Sequence, residues 1–413
     1  MTGAQAGLER RVLGDLEATP SRIPVVLGGC GTGRTWLLNR MRDRLGRGAA
    51  QYIDVERCAT TPERFLEAVT GSSPFAHTSY TGDRQPRTAR EAFDALLAFF
   101  DAARGPGGEP VTFLLDEVLE LRTFESFPGL RHVLRDLVAA LSASPNRFVL
   151  TTRYVARAQR LLRDATARFE VLTVPALTAP EVSDLLAPTF NGYDQVPDAE
   201  RDELGRAIQL LADGRASYAK AIGEMMAHMG RAADPISALA ALMAPDGALN
   251  HSCRFCYELR LHRARGYGAL KAILDVLAAE ESLTLTEISV RLRRTPGSTK
   301  DYLSWLEDVD LVTSRQKRYR FTDPLLRLWV RLHCRPTPPA IEEIGREVQR
   351  YAMSRFPQAG TTDGSAQAAE PAPVQPAPTP APAAVPAPAL AYAGIEAAAP
   401  TDDRKNWGII EID

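Results

Sequence analysis

The sequence has no long apolar run and little cysteine. No stretch approaches the ~18 to 20 consecutive apolar residues of a membrane-spanning helix, and the first 20 residues contain no apolar signal-peptide core. The 5 cysteines are scattered and odd in number, which argues against a disulfide framework. We therefore expect a cytoplasmic chain with reduced thiols and no membrane contact.

The sequence also lacks an excess of charge of either sign. The 49 Lys and Arg residues against 51 Asp and Glu residues leave a net charge of −2. Such a chain is not a general binder of polyanions, so contact with nucleic acid requires a local basic patch. The 413 residues, of which 45% are hydrophobic, suffice for about two or three domains with cores of their own.

The first half of the chain alternates short apolar runs with segments of helical periodicity. The runs are 23–27, 51–55, 111–115, 147–151 and 169–174. Each is of strand length and almost wholly apolar, as in parallel strands that are buried on both faces. The repetition of strand and helix predicts a doubly wound α/β domain with right-handed crossovers. The loop 72–87 is long for a βα connection, and we expect it to be mobile.

The rest of the chain consists of segments that differ in composition and in hydrophobic periodicity. The predicted segments are an N-terminal helix 1–20, an α/β core 21–177, an all-helical region 178–265, a compact unit of helices and a strand pair 266–335, a helical extension 336–356, a Pro/Ala-rich segment 357–400 and a C-terminal segment 401–413. The Pro/Ala-rich segment has too few large apolar side chains for a core and is expected to be disordered. The last segment ends in WGIIEID, whose alternation suits docking on a sheet edge; the alternative is an end without a partner.

A glycine-rich turn, GGCGTGRT at residues 28–35, lies between an apolar strand and a helical segment. It fits G-x-x-x-x-G-K-[ST], except that Arg34 replaces Lys. Its glycines let successive N–H groups face phosphate oxygens, and the following helix adds its positive end. The alternative is a turn without a ligand. The predicted nucleotide-binding residues are Gly28, Gly29, Cys30, Gly31, Thr32, Gly33, Arg34, Thr35 and Trp36.

Two further strands end in polar residues that suit phosphate chemistry. Asp116 and Glu117 follow one apolar run, and Arg153 follows another. The carboxyl ends of parallel strands meet at one edge of the sheet. We expect Thr35 and Asp116 to hold Mg²⁺ and Glu117 to activate water. Arg34 keeps a cation at the phosphates, but its planar fork differs from a Lys point charge, so turnover is open while binding is expected.

Together the strand before GGCGTGRT, FLLDE, VLTTR and LTVPALTAPEVSDLL resemble the AAA-related P-loop ATPases of the STAND and archaeal-type group, which are similar to origin-recognition ATPases. The resemblance covers about residues 20–335. It implies a parallel sheet of order 5-1-4-3-2, a helical lid at 178–265 and a winged helix at 266–335. It also implies that Arg153 contacts the γ-phosphate as a catalytic residue, together with Glu117 and Arg34, and that Arg215 of the lid approaches the nucleotide.

The expected function is a Mg²⁺-dependent ATPase that works as a conformational switch coupled to the winged helix. The alternative is an ATP-gated DNA-binding regulator with little or no hydrolysis. Its basic patch is Arg291, Arg293, Arg294, Arg315, Lys317, Arg318 and Arg320. Acidic residues at the end of the second helix of this unit oppose DNA binding, and winged helices also dock proteins.

Partners are only partly specified by the sequence. An unidentified protein partner is expected at 401–413, and oligomerisation stays open. Cys253-x-x-Cys256, beside His251, lacks the second pair of ligands that a structural zinc site needs. We therefore interpret these two cysteines as buried or incidental thiols.

Overall fold

The computed structural model describes residues 3–75, 86–190, 197–230, 233–262, 264 and 266–356. The predictions made for the Pro/Ala-rich segment 357–400 and for the C-terminal segment 401–413 lie outside these residues. Most of the loop 72–87 also lies outside them.

Five parallel strands form the central sheet. They are β1 (Ile23–Leu27), β2 (Ala50–Asp54), β3 (Thr112–Asp116), β4 (Arg147–Thr152) and β5 (Phe169–Thr173). The spatial order is β2-β3-β4-β1-β5, with every neighbouring pair parallel. Read from the other edge, this is the predicted order 5-1-4-3-2, which is confirmed. The order puts the end of β1 beside the ends of β4 and β5, and the end of β3 next to β4.

Helices surround this sheet. They are α1 (Gly3–Glu17), α2 (Arg34–Leu45), α3 (Val55–Cys58), α4 (Pro62–Gly71), α5 (Ala89–Ala102), α6 (Val133–Ala143) and α7 (Val155–Leu162). A 3₁₀ segment, Val118–Ser126, follows β3. The start of α4 shows local control, because Thr61 accepts a hydrogen bond from the Arg64 N–H and Pro62 occupies the first turn.

Two apolar cores hold the sheet between its layers. On one side, Leu8 and Val12 of α1 pack with Val26 of β1, and all three are buried. On the other side, aromatic rings cluster, with Phe113 and Phe148 of neighbouring strands stacked at 5.6 Å between ring centroids. Burial of strands on both faces explains why their sequences are continuous apolar runs. The strands are therefore packed on both faces up to the edge where they end.

The described part of the region 178–265 contains helices and no strand. These helices are α8 (Ala179–Leu186), α9 (Asp198–Leu211), α10 (Ala216–Met229), α11 (Pro235–Met243) and α12 (Ala248–His262). Thr178 and Glu181 form a capping box at the start of α8, which explains why the helix begins at this point.

Helices and a small sheet complete the described chain. The elements are α13 (Tyr267–Ala279), β6 (Leu283–Thr284), α14 (Leu285–Leu292), α15 (Pro296–Asp308), β7 (Val312–Arg315), β8 (Arg318–Phe321), α16 (Pro324–His333) and α17 (Ile341–Arg355). The three strands are antiparallel in the order β6-β8-β7. Within the described residues, the helices are all too short or too polar to cross a membrane.

Candidate functional site

The turn at residues 28–35, here called the phosphate loop, joins β1 to α2 at the carboxyl edge of the sheet. Gly33 precedes α2 with a φ of 99°, and Gly31 has a φ of 78°, both in the left-handed region that glycine tolerates. A Cβ atom on Gly31 would lie 2.5 Å from Ser217 Oγ. The glycines therefore allow the loop to turn tightly and to lie close against α10.

Arg34 points back into the loop from the first residue of α2. Its Nη1 donates to the carbonyl oxygen of Gly29 at 2.7 Å, and its Nη2 forms an ion pair with Glu117 Oε1. The side chain is buried, and its Nε lacks a hydrogen-bond partner among the described residues. The cation of Arg34 is thus shared between the loop backbone and an acid at the end of β3.

Glu117 is the centre of the charged group at this edge. It follows β3 with a left-handed φ of 54°, and its N–H donates to Thr151 Oγ1 at 3.2 Å. Arg153 reaches it twice, through Nε at 3.1 Å from Oε1 and through a backbone N–H at 3.0 Å from Oε2. Burial raises the pKa of Glu117, but the charges of Arg34 and Arg153 outweigh burial and hold this pKa below its ordinary value.

Arg153 pairs with a second acid besides Glu117. Its Nη2 forms an ion pair with Glu56 Oε2, and its side chain is buried. Burial lowers the pKa of Arg153, but the charges of Glu117, Cys30 and Glu56 together outweigh burial and raise this pKa above its ordinary value. The structure thus brings the three residues predicted to be catalytic, Arg34, Glu117 and Arg153, into one contact group. Glu56 was not predicted, although it follows the end of β2 as Glu117 follows β3.

The carboxylate of Asp116 accepts hydrogen bonds from hydroxyl groups. Thr35 Oγ1 donates to its Oδ2 at 2.7 Å, Tyr52 OH donates to the same oxygen at 3.0 Å, and Thr151 Oγ1 donates to its Oδ1. Burial raises the pKa of the Tyr52 hydroxyl, and the Asp116 carboxylate raises it further, so Tyr52 stays a donor. This set of hydroxyl and carboxylate oxygens suits Mg²⁺. Tyr52 was not predicted, and its position just before the end of β2 is the only signal that the sequence contains for it.

The remaining predicted loop residues differ in their environment. Thr32 Oγ1 donates to the carbonyl oxygen of Gly29 at 3.0 Å and stays within the loop. The Trp36 side chain is 45% exposed, with the guanidinium of Arg40 5.5 Å from its ring centroid. Trp36 therefore lies at the surface of α2, apart from the group around Glu117.

The helical region contacts the other side of the phosphate loop. Arg215, just before α10, donates through Nη1 to the carbonyl oxygen of Cys30 at 2.7 Å, and the Ser217 N–H donates to the Gly31 oxygen at 3.0 Å. Arg215 also donates through Nη2 to the Thr322 oxygen at 2.9 Å and lies 3.3 Å from Asp323 Oδ2. One buried arginine thus joins the loop to the start of α16.

A second arginine and two cysteines meet at the same side of the loop. Arg260 of α12 donates through Nη2 to Cys30 Sγ at 2.9 Å and through Nη1 to the Asp310 carbonyl oxygen at 2.7 Å. Cys30 Sγ lies 2.8 Å from Cys256 Sγ. The two cysteines are 226 positions apart in the sequence, so no local pattern predicts their contact. Cys253, the other cysteine of the CxxC pair, is buried in the apolar core.

Comparisons with known proteins rest on structure alone, since no family model and no curated protein matches the sequence. The Walker-type ATPase PABY2304 of Pyrococcus abyssi is similar at a TM-score of 0.60 and 18% identity, over 79% of this chain and 95% of that chain. The ORC1 protein of Aeropyrum pernix in complex with DNA reaches a TM-score of 0.41 at 17% identity, over 86% and 93% of the two chains. A RuvB mutant of Thermotoga maritima reaches 0.40 at 12% identity, over 82% and 97%.

The similarity to the Pyrococcus abyssi ATPase, at a TM-score of 0.60, supports the fold. In this chain the strand order is β2-β3-β4-β1-β5, and the phosphate loop lies between β1 and α2. The chain therefore has the α/β fold of the P-loop NTPases.

Proposed function

We propose that this chain binds ATP at the phosphate loop and hydrolyses it to ADP and phosphate, using the free energy to switch conformation. The observation that carries the proposal is the buried group of Arg34, Glu117 and Arg153 beside the loop. Two guanidinium groups supply donors for phosphate oxygens. A carboxylate kept charged between them supplies the base that a water nucleophile needs. The P-loop fold supports the proposal by placing these groups at the sheet edge where such proteins bind nucleotide.

Mg²⁺ is the metal that this fold implies, and the oxygen donors around Asp116 suit it. Thr35 and Asp116 would hold the ion, which when bound would neutralise charge on the phosphates. The protein's own contribution is to orient the carboxylate of Asp116. Tyr52 and Thr151 donate to its two oxygens and so limit its rotation.

Nucleotide binding on this proposal exchanges one partner of Arg34 for another. The γ-phosphate competes with Glu117 for the guanidinium, because both are anions that a fork of N–H donors recognises. Glu117 then keeps Arg153 as its partner and becomes available to a water molecule. The exchange explains how an arginine in the usual lysine position serves binding while it restrains the base until nucleotide arrives.

Coupling to the rest of the chain runs through Arg215 and Arg260. Each of these buried side chains touches Cys30 in the loop and, at its other end, a residue of the unit 266–335. A movement of the loop therefore changes contacts at Asp310 and Asp323. On this proposal, 21–177 is the ATPase core, 178–265 the lid and 266–335 a winged helix that receives the signal.

The binding claim is tested by titrating the full chain with ATP, with and without Mg²⁺, in a calorimeter. The variant Asp116→Asn should lose most of the dependence of affinity on Mg²⁺. The matched control is Asp94→Asn, which changes an exposed carboxylate on α5. Equal Mg²⁺ dependence in wild type and in Asp116→Asn would contradict the proposed metal ligand, and no heat of binding in wild type would end the proposal.

DNA binding gated by ATP is the second candidate, and one surface feature favours it. Arg315 and Lys317 lie exposed at the tip of the β7–β8 hairpin, and neither forms an ion pair within the described chain. The acidic end of α15, which would repel DNA, is partly neutralised because Asp308 pairs with Arg160 of α7. An exposed basic tip suits contact with phosphates.

Fluorescence anisotropy with a duplex tests this second candidate. Binding should weaken as salt rises and should weaken further when Arg315 and Lys317 are both changed to Ser. The control is Lys220→Ser, which removes a lysine that is exposed on α10 and paired with Glu224. No binding at low salt, with or without ATP, would remove the candidate.

The segment 401–413 is proposed to dock a protein partner. A pull-down with the full chain and with a chain that lacks residues 401–413 would test this.

A further inference from the structure

The contact between Cys30 and Cys256 joins the phosphate loop to α12. The sulfur atoms are 2.8 Å apart, and Arg260 Nη2 lies 2.9 Å from Cys30 Sγ. Cys30 and Cys256 are half-buried as whole residues, whereas Cys253 on the same helix is buried. The two thiols therefore come from distant parts of the sequence and share one cation.

The five cysteines differ in how readily they form thiolates. The hydrogen bond from the Cys256 thiol, together with the charge of Arg260, holds the pKa of Cys30 well below its ordinary value. The same hydrogen bond raises the pKa of Cys256, which keeps its proton. Burial raises the pKa of Cys58 and also that of Cys253, and it raises that of Cys334 to about 11. Cys30 is thus placed as a nucleophile with a protonated thiol beside it.

We propose that Cys30 and Cys256 are a reversible dithiol that hydroperoxides oxidise to a disulfide, which locks the phosphate loop to α12. The geometry of the two sulfur atoms and Arg260 carries this proposal. Zinc binding does not account for Cys256, because no group of three or more His, Cys, Asp or Glu side chains in the described ranges is arranged to hold a metal.

The reaction balances in two steps. The Cys30 thiolate attacks one oxygen of the hydroperoxide, the O–O bond breaks and the leaving oxygen takes up a proton, which leaves Cys30 as a sulfenic acid. The Cys256 sulfur then attacks the Cys30 sulfur. The S–S bond forms, the S–O bond breaks, and hydroxide leaves as water with the thiol proton. The two thiols lose two electrons to the hydroperoxide, and a dithiol reductant reverses the change by thiol–disulfide exchange.

The consequence for nucleotide rests on the proposed function, whereas the disulfide itself does not. In the present arrangement Arg215 holds the Cys30 oxygen and Ser217 holds the Gly31 oxygen. A bond to Cys256 would fix the loop in this arrangement and would remove its freedom to close around phosphates. Oxidised protein should therefore bind Mg-ATP at least about tenfold more weakly than reduced protein.

The disulfide is tested on the full chain with hydrogen peroxide, followed by unfolding, maleimide labelling and mass spectrometry. Two of the five thiols should be lost, return with dithiothreitol, and appear in one cross-linked peptide pair that contains Cys30 and Cys256. Cys253→Ser and Cys58→Ser should keep this cross-link. Cys256→Ser and Cys256→Ala should lose it and leave a sulfenic acid at Cys30 that dimedone traps.

Three outcomes would overturn parts of the inference separately. Five reactive thiols after peroxide, or a cross-link between Cys253 and Cys256, would refute the disulfide. A cross-link at Cys30 with unchanged Mg-ATP affinity would refute the lock on the loop. If reduced wild type also fails to bind ATP, the proposed function fails, while the mass measurement still decides whether the dithiol forms.

Discussion

The acids Glu117 and Asp310, which lie on opposite sides of the phosphate loop, differ in how their charge is neutralised. On the sheet side, the acid Glu117 lies between Arg34 and Arg153, and its pKa is held below the ordinary value. On the helix side, Arg260 donates to a backbone oxygen and a sulfur atom, and the nearby Asp310 keeps an Oδ2 without a hydrogen-bond partner among the described residues. Burial raises the pKa of Asp310 to about 7.

This contrast suggests that the two sides of the loop have different functions. Carboxylate–guanidinium pairs can be exchanged for phosphate–guanidinium pairs, because the anions resemble each other. Hydrogen bonds from arginine to loop carbonyls depend on where the backbone lies rather than on a charged ligand. The sheet side is therefore suited to binding and chemistry, and the helix side is suited to sensing the shape of the loop. The variants below separate the two sides.

Glu117→Gln should give the largest effect. Removing the carboxylate removes the proposed base, and turnover should fall by roughly 10² to 10⁴-fold. Affinity for Mg-ATP should stay the same or rise, because Arg34 loses the acid that competes with phosphate. Radiolabelled ATP measures turnover and calorimetry measures binding.

The matched control for this change is Glu125→Gln, which alters a partly exposed acid in the 3₁₀ segment after β3. Normal turnover in Glu117→Gln would show that this residue is not the base. Weaker binding in the same variant would show that Glu117 holds Arg34 in place for nucleotide instead of competing with it.

Arg34→Ala should affect binding more than any other change to the loop. The loss of a charge-assisted contact should weaken Mg-ATP binding by about 1.5 to 3 kcal/mol. Arg34→Lys should keep binding and should keep or raise turnover, since a point charge still reaches the phosphates. Glu117 retains Arg153 in both variants, but Arg34→Ala removes a buried ion pair, so its free energy of unfolding should fall by about 1 to 3 kcal/mol.

Arg42→Ala serves as the control, since it removes a guanidinium from the last turn of α2. Calorimetry on the three variants gives the comparison directly. An affinity in Arg34→Ala equal to that of wild type would mean that the cation at this position does not meet the nucleotide.

Arg215→Ala tests the helix side of the loop. It should weaken Mg-ATP binding less than Arg34→Ala does. Asp323 would lose its buried cation but keep the hydrogen bonds from Tyr218 and from the first N–H groups of α16. The free energy of unfolding should fall by about 1 to 3 kcal/mol. In wild type, Mg-ATP should change the hydrogen exchange of residues 322–326, and in Arg215→Ala this response should be lost. An unchanged exchange response would place the coupling elsewhere.

Sequence patterns placed Glu117 and Arg153 at the carboxyl edge of the sheet because each follows an apolar run, whereas Tyr52 and Glu56 at the same edge were not predicted. The apolar runs located the strands, and Glu117 and Arg153 come directly after two of them. The strand order was implied by the family resemblance rather than by the runs, and it is confirmed. The contact of Arg34 with Glu117 was not predicted. A motif states that a cation is present, but the direction in which a long side chain points depends on the groups packed around it.

The helix side was largely missed for a physical reason. Arg260 and Cys256 belong to a helix whose pattern reveals only its apolar face, and both contact a loop more than two hundred positions earlier. Such contacts depend on how the helical region packs on the loop, which periodicity does not encode. Arg215 was expected near the nucleotide on the basis of resemblance, and its contact with the loop backbone leaves that expectation a proposal.

The smallest effect is expected at Asp310, where the contrast between the two acids predicts a dependence on pH. The charged groups that face it are Arg260, Cys30, Arg215 and Arg34. Because its pKa of about 7 exceeds that of an unfolded Asp, the folded state binds the proton more tightly. The stability that this proton contributes is fully present below the unfolded pKa of about 3.9 and is lost as the pH rises through 7.

Asp310→Asn should remove this loss, since an amide does not ionise and Asn tolerates the left-handed φ of 57° at this position. Relative to wild type, the free energy of unfolding of the variant should rise by about 1 to 3 kcal/mol between pH 5 and pH 8. Urea denaturation at intervals across that range measures it, with the exposed Asp301→Asn on α15 as the control. Parallel curves for wild type and Asp310→Asn would mean that the charge of Asp310 is neutralised by neighbouring cations, as that of Glu117 is. Glu117 and Asp310 would then not differ in how they titrate.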